Sequence, residues 1–234
     1  RATGINIIMG SSYYIYPSHP PDMDNISEDQ IMENIVDDIN KGVDDTDIRS
    51  GIIGEIGCSW PLTENERKSL RAAARAQKLT GAPILIHPGR DEASPLEILD
   101  ILRSAGADVE RIIMGHLDRT VFLRSTLKQI AESGCYLEWD LFGVEISYYQ
   151  PADFDMPNDV QRLDYIRSMM DKGISDRIVL AQDICTKHRL SKYGGHGYGY
   201  ILEHIVPRMR LRGFSEEDIN ALIVGNPTRM LTIV

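Results

Sequence analysis

With 234 residues and 26.3 kDa, 42% of them apolar and 26% charged, the chain has the composition of a soluble globular protein and not of a disordered one. Its formal net charge of −10 argues against nucleic acid and anionic membranes as partners, since both draw affinity from clustered Lys and Arg. No apolar run approaches the ~20 residues of a membrane helix, and no signal segment opens the sequence. Cys58, Cys135 and Cys185 are too scattered for a disulfide framework, so a reduced, cytoplasmic protein is expected.

Residues 5–9 form an apolar run that predicts a strand, followed by a loop rich in Ser, Tyr and Pro as far as Pro21. Ser27 and Gln30 have the spacing of a capping box, and Ile31, Ile35 and Ile39 recur with helical period, which predicts a helix over 27–41. Next comes the stretch Gly51-Ile52-Ile53-Gly54-Glu55-Ile56-Gly57, an apolar strand that delivers one carboxylate between glycines. Burying that charge costs several kcal/mol unless a cationic side chain or a metal meets it.

Thr63 with Glu66 starts a second helix, Ala-rich over 70–79 and stopped at Gly81. The strand over 82–87 then ends in His87. Pro95 opens a helix through Leu102 that closes near Gly106, and the strand over 111–116 ends in His116. A helix over 121–132 stops at Gly134, and a strand over 135–140 precedes a long loop over 142–157. A helix over 159–172 leads to a strand over 177–181 and to Asp183. A Gly-rich segment over 193–197, a helix over 198–211, a capped start at Ser215 with Asp218 and a short terminal helix from Asn226 complete the chain.

Strand and helix alternate without consecutive hairpins, which calls for a parallel sheet. Two α/β architectures fit: an eight-stranded (β/α)8 TIM barrel lacking its first two units, or an open doubly wound sheet. No Gly-x-Gly-x-x-Gly follows any strand. Polar residues at the C-terminal ends of several strands favour the barrel, with 1–234 as a single domain.

Glu55, His87, His116 and Asp183 each follow an apolar strand, and in a parallel barrel all such ends open on one face. Carboxylate and imidazole are the ligand set of Zn²⁺ and related ions. Glu55 suits a bridge between two metals, which would acidify a bound water to give the nucleophile. Each residue alone has an ordinary reading: a hydrogen-bonded structural His, a Glu paired with Arg, an Asp capping a turn. Four strand ends carrying ligand types together point to a hydrolytic metal site. Cys58 and Cys185 are not needed as ligands. Asp118 is read either as orienting the site or as a salt bridge to Arg119.

The segments 51–62, Ile86-His87-Pro88-Gly89-Arg90, His116-Leu117-Asp118-Arg119-Thr120, Asp140-Leu141-Phe142-Gly143 and 192–198 closely resemble the phosphotriesterase-related proteins of the amidohydrolase superfamily. The resemblance implies a barrel with a binuclear zinc-type site. There Glu55 replaces a carboxylated lysine, His87 and His116 bind one of two divalent metals of the zinc type, and Asp183, at the end of strand eight, binds the other. It also implies a hydrolase of a small amide or ester. The expected substrate is an N-acyl amino acid type such as N-acetyltaurine, attacked by metal-bound hydroxide; phosphotriesterase or lactonase activity and a non-catalytic binding barrel are the alternatives. Glu55 and Asp183 are the expected catalytic residues.

The family's His-x-His pair of strand one occurs nowhere in the sequence. Counting back from Asp183 makes residues 5–9 strand three, so the chain reads as an N-terminally incomplete member with weakened metal binding. Beyond strand eight, Lys187, His188, Arg189 and Lys192 cluster ahead of His196. Loops there often hold phosphate groups, so Arg189, Lys187 and His196 are expected to hold an anionic substrate end, with Tyr148 on the wall; a solvated basic turn is the competing reading. The expected partner is a small anionic molecule, and a homodimer is compatible with the reading.

Overall fold

The computed structural model describes residues 3–146, 148–149 and 151–233. The chain forms two compact units, residues 1–114 with 230–234, and residues 115–229.

The first unit runs β1 (Gly10–Ser11), α1 (Glu28–Asn40), β2 (Ile52–Gly57), α2 (Glu64–Thr80), β3 (Ile84–His87), α3 (Ser94–Ser104) and β4 (Ile112–Met114). Each strand pairs in parallel with the next. The capping boxes at Ser27 and Thr63 form as expected, with side chain and backbone bonded in both directions. Gly81 ends α2 at φ +69, a conformation that costs glycine nothing. Ile53, Ile56, Ile84, Ile86, Ile112 and Met114 are fully buried, as strands covered on both faces require. Against α2, α1 packs Ile31, Ile35 and Ile39, and the small Ala72, Ala73 and Ala76 let the helices approach.

One expectation shifts. Residues 5–9 do not form the first strand, which falls on Gly10–Ser11. Its partner β2 starts level with Gly10, so only Gly51, donating to the Met9 carbonyl at 2.9 Å, reaches back further. Ile5, Ile7 and Ile8 are therefore exposed.

The second unit runs α4 (Arg124–Glu132), β5 (Tyr136–Trp139), α5 (Asp159–Met170), β6 (Ile178–Leu180), α6 (Val206–Leu211) and α7 (Glu216–Asn220), before α8 (Asn226–Leu231). β5 and β6 pair in parallel, Leu137 opposite Ile178 and Trp139 opposite Leu180. The Asn226 amide donates to the carbonyls of Ser175 and Ile178 at 2.8 and 2.7 Å, anchoring the start of α8 beneath β6. No described helix is long and apolar enough to cross a membrane.

Candidate functional site

In the first unit, Glu55 owes its aim to an irregularity in β2. The register against β3 shifts between Ile53 and Ile56, and a bulge of this kind redirects the side chains that follow it. Gly54 makes it possible. It has φ +144, and a Cβ there would stand 2.6 Å from the Leu85 carbonyl oxygen. Glu55 then meets His87 from the end of β3, Oε1 to Nδ1 at 3.4 Å, with the imidazole buried and the carboxylate about one-third exposed. The carboxylate that needed a cationic partner thus has a neighbouring imidazole. The Tyr14 hydroxyl lies 3.0 Å from Nδ1 and 3.3 Å from Nε2 of the same ring, edge-on to it.

Glu66 was read from the sequence only as a helix start. It is fully buried, and its carboxylate accepts the backbone N–H of Tyr16, Ser59 and Thr63 at 3.0, 3.0 and 2.8 Å. One side chain therefore caps α2 and ties down both the loop carrying Tyr14 and the loop after Glu55. Burial first, and then Glu66, Glu55 and Glu97, push the Cys58 thiol well above its ordinary value. A thiol held neutral is a poor metal ligand.

In the second unit, His116 has φ +53 and opens the helical turn Leu117–Arg119. Asp140, just past β5, receives its backbone N–H and bonds its Nδ1, both at 2.7 Å. Burial alone would raise the Asp140 carboxyl; the His116 charge and hydrogen bonds, with Arg119, bring it below its usual value instead. An ionised Asp140 places the proton on Nδ1 and makes Nε2 the lone-pair atom, the arrangement that histidines use to bind metals. In the sequence Asp140 stood out only as part of a family-like segment; its position at the next strand end after a ligand-type His was the available signal.

Asp118 is fully buried beside this pair. Its Oδ2 accepts from Leu141 N–H at 2.9 Å and from Arg162 Nε at 3.0 Å, while Oδ1 has no hydrogen-bond partner among the described residues. Burial and the Asp140 charge push its carboxyl up to about 6, against the opposing pull of Arg162. The ion pair is therefore to Arg162, which neither sequence alternative contained. Arg162 is itself fully buried and reaches Asp159 at 2.7 Å and the Val144 carbonyl at 3.1 Å. Asp159 also accepts from Gly143 N–H and the Tyr200 hydroxyl, at 3.1 and 2.8 Å. Burial, and then Asp159, push the Tyr200 phenol up to about 12.

This network fixes one wall of a cavity of about 490 Å³, lined by Gly143, Val144, Glu145 and Ile146 on one side and by His188, Arg189, Gly194, Gly195 and His196 on the other. A Cβ at Gly143, φ +91, would stand 2.5 Å from the His196 ring, so the glycine is needed for His196 to approach. Burial lowers the His196 pKa. Arg189 lines the cavity and also grips Asp183, with Nη1 2.7 Å from Oδ2 and a second bond to the Asp183 carbonyl. Lys187 is outside the lining, 4.7 Å above the Tyr193 ring, and Tyr148 is exposed in a bridge with Asp155.

The donors suit a divalent cation: a carboxylate and a buried imidazole in contact at neighbouring strand ends, and a histidine whose tautomer is set from behind. Comparisons with known proteins give the family. The phosphotriesterase family model matches residues 1–231. A phosphotriesterase-related protein of Nematostella vectensis is 50% identical over 232 residues, covering 99% of this chain and 66% of that protein. An N-acetyltaurine hydrolase of Dictyostelium discoideum is 49% identical over 231 residues, covering 98% and 62%. Among solved structures, a resiniferatoxin-binding protein from Rhodobacter sphaeroides superposes with a TM-score of 0.93 at 35% identity, over 98% of this chain and 64% of that one. The chain thus spans just under two thirds of these proteins. Its parallel β/α units are of the (β/α)8-barrel class expected from the sequence, and the chain belongs to the phosphotriesterase family.

Proposed function

We propose that the chain is part of a cytoplasmic, metal-dependent hydrolase of small amides or esters, acting on an N-acyl amino acid type of substrate such as N-acetyltaurine. The observation that carries the substrate class is the cavity of the second unit. In a protein of net charge −10, Arg189, His188 and His196 converge on one space of about 490 Å³, large enough for a short-chain anion. The relative named N-acetyltaurine hydrolase, 49% identical, supports the same class. Taurine amides end in a permanently charged sulfonate, which suits a cavity whose cation is a guanidinium.

In this reading Glu55, His87, His116 and Asp183 would hold two divalent ions, and their carboxylate and imidazole donors suit Zn²⁺. The metal, when bound, supplies polarisation of the scissile carbonyl and an acidified water. Glu55 would hold metal from β2, and Tyr14 steadies the His87 ring. Asp140 keeps His116 in the tautomer that offers Nε2. Arg189 and His196 hold the sulfonate while the acyl end meets the ligand residues. Lys187 and Tyr148 stand further out and act on approach of the substrate rather than on the bound molecule.

The test is taurine release from N-acetyltaurine by the Zn-supplemented protein, beside a panel of lactones and aryl phosphotriesters. Turnover of the amide supports the reading; turnover confined to lactones or phosphotriesters replaces it. The likeness to a protein named for resiniferatoxin binding gives the second reading, a binding barrel. Saturable ligand binding with no turnover across the whole panel would favour that one.

A further inference from the structure

Asp183, a proposed metal ligand, and Arg189, the cavity cation, form one ion pair. Arg189 Nη1 lies 2.7 Å from Asp183 Oδ2 and also bonds the Asp183 carbonyl, with both side chains largely buried. The same guanidinium lines the cavity of about 490 Å³. It faces an anion there with its charge already committed to a carboxylate. His196 adds little fixed charge, since burial lowers its pKa. Glu145, on the opposite wall, accepts the Asp159 N–H at 3.0 Å and adds a negative charge to the lining, which makes the cavity depend the more on its guanidinium for holding an anion.

We infer that this pair is a charge latch: a cation taken up by the Asp183 carboxylate releases the Arg189 guanidinium to the cavity, so that metal binding and anion binding reinforce one another. The inference rests on the proposed reading that the cavity takes the anionic end of the substrate. It follows from charge balance. While Asp183 is unmetallated, an anion entering the cavity competes with a carboxylate for Arg189. When a divalent ion offsets that carboxylate, the competition ends. Linkage then requires the anion to tighten the metal by the same factor that the metal tightens the anion, typically 5- to 150-fold for coupled sites. A further consequence is order: an acidic protein with its cavity arginine latched does not collect anions until its metal is in place.

The measurement is calorimetric and needs no turnover. Ethanesulfonate, which carries the sulfonate without an amide, is titrated into the wild-type protein, Asp183→Asn, Arg189→Met and the double variant, all without metal. Asp183→Asn imitates the offset carboxylate and should bind ethanesulfonate roughly ten-fold more tightly than wild type. In the Arg189→Met background the same Asn substitution should give little gain. An equal gain in both backgrounds would show simple removal of a negative charge and would overturn the latch; so would no gain in either. Zn added to the wild type should reproduce the Asp183→Asn gain, and Zn added to Arg189→Met should not. Arg189→Gln carries the same comparison if the Met variant does not fold. Failure of the hydrolase reading would show as absent taurine release with the coupling intact, and failure of the latch as release without coupling.

Discussion

Removing Arg162 offers the sharpest test of the buried network in the second unit. The guanidinium is wholly enclosed and holds two enclosed carboxylates, Asp118 at 3.0 Å and Asp159 at 2.7 Å, as well as the Val144 carbonyl at 3.1 Å. Arg162→Met keeps much of the volume and deletes every one of those donors. Breaking a buried pair from one side typically costs about 3–5 kcal/mol, because the partner stays buried without its counter-charge. Asp159 retains Gly143 N–H and the Tyr200 hydroxyl, whereas Asp118 keeps only the Leu141 N–H among its hydrogen bonds. The larger share of the cost therefore falls on Asp118. Its folded pKa, about 6, already lies above the ordinary carboxyl value of 3.8, so in the wild type this group weakens the fold as pH rises between those two values, with no further loss above them. Taking away Arg162, which pulls that pKa down, moves the folded value higher still and extends the losing window upward. The Arg162→Met penalty should accordingly be about 3–5 kcal/mol at pH 8 and clearly smaller at pH 5, where Asp118 is protonated in both folded proteins. Urea unfolding of wild type and variant at the two pH values reads it directly. A penalty under about 1 kcal/mol at pH 8, or one that is the same at both pH values, would refute the reasoning.

Two further outcomes follow from the site's supports. Asp140→Asn removes the carboxylate that sets the His116 tautomer, and Zn affinity measured by chelator competition should fall about 10- to 100-fold with the secondary structure unchanged by circular dichroism; unchanged affinity would mean that His116 is not a ligand. Glu66→Ala strips three backbone N–H groups of their acceptor and should cost about 3 kcal/mol in urea unfolding, against about 1 kcal/mol for Thr63→Ala, which loses a cap alone. Equal costs for the two would show that Glu66 is no more than a capping residue.

The parts of the molecule that were legible in the sequence are those written in local spacing. Capping boxes at Ser27 and Thr63, the stop at Gly81 and the apolar runs of β2, β3 and β5 lie within a few residues of the contacts that they predict. The strand expected over 5–9 failed because a strand needs a partner of matching length, and β2 begins only level with Gly10. Glu55 and His87 were readable as ligand types because both end apolar runs. Their contact at 3.4 Å was not, since it depends on the register shift in β2. The supports were least legible of all. Asp140 is 24 positions from His116 and Arg162 is 44 from Asp118, and nothing in the local pattern of either segment distinguishes an aspartate that will meet a histidine from one that will face water.

Arg189 shows how a correct residue can carry an incomplete role. From composition, a basic cluster in an acidic chain points outward to an anionic ligand, and within 187–192 Lys187 and Arg189 are expected to share that role. The fold makes them unequal. Lys187 sits over the Tyr193 ring and is exposed, where solvent screens its charge. Arg189 is drawn inward because Asp183, at φ +44, turns both its carbonyl and its carboxylate toward one guanidinium. Both bonds come from Nη1, whose two N–H groups serve the two acceptors at once. The cation best placed to recognise a sulfonate is thus the one already paired within the fold, and its availability to substrate depends on what else Asp183 is bound to.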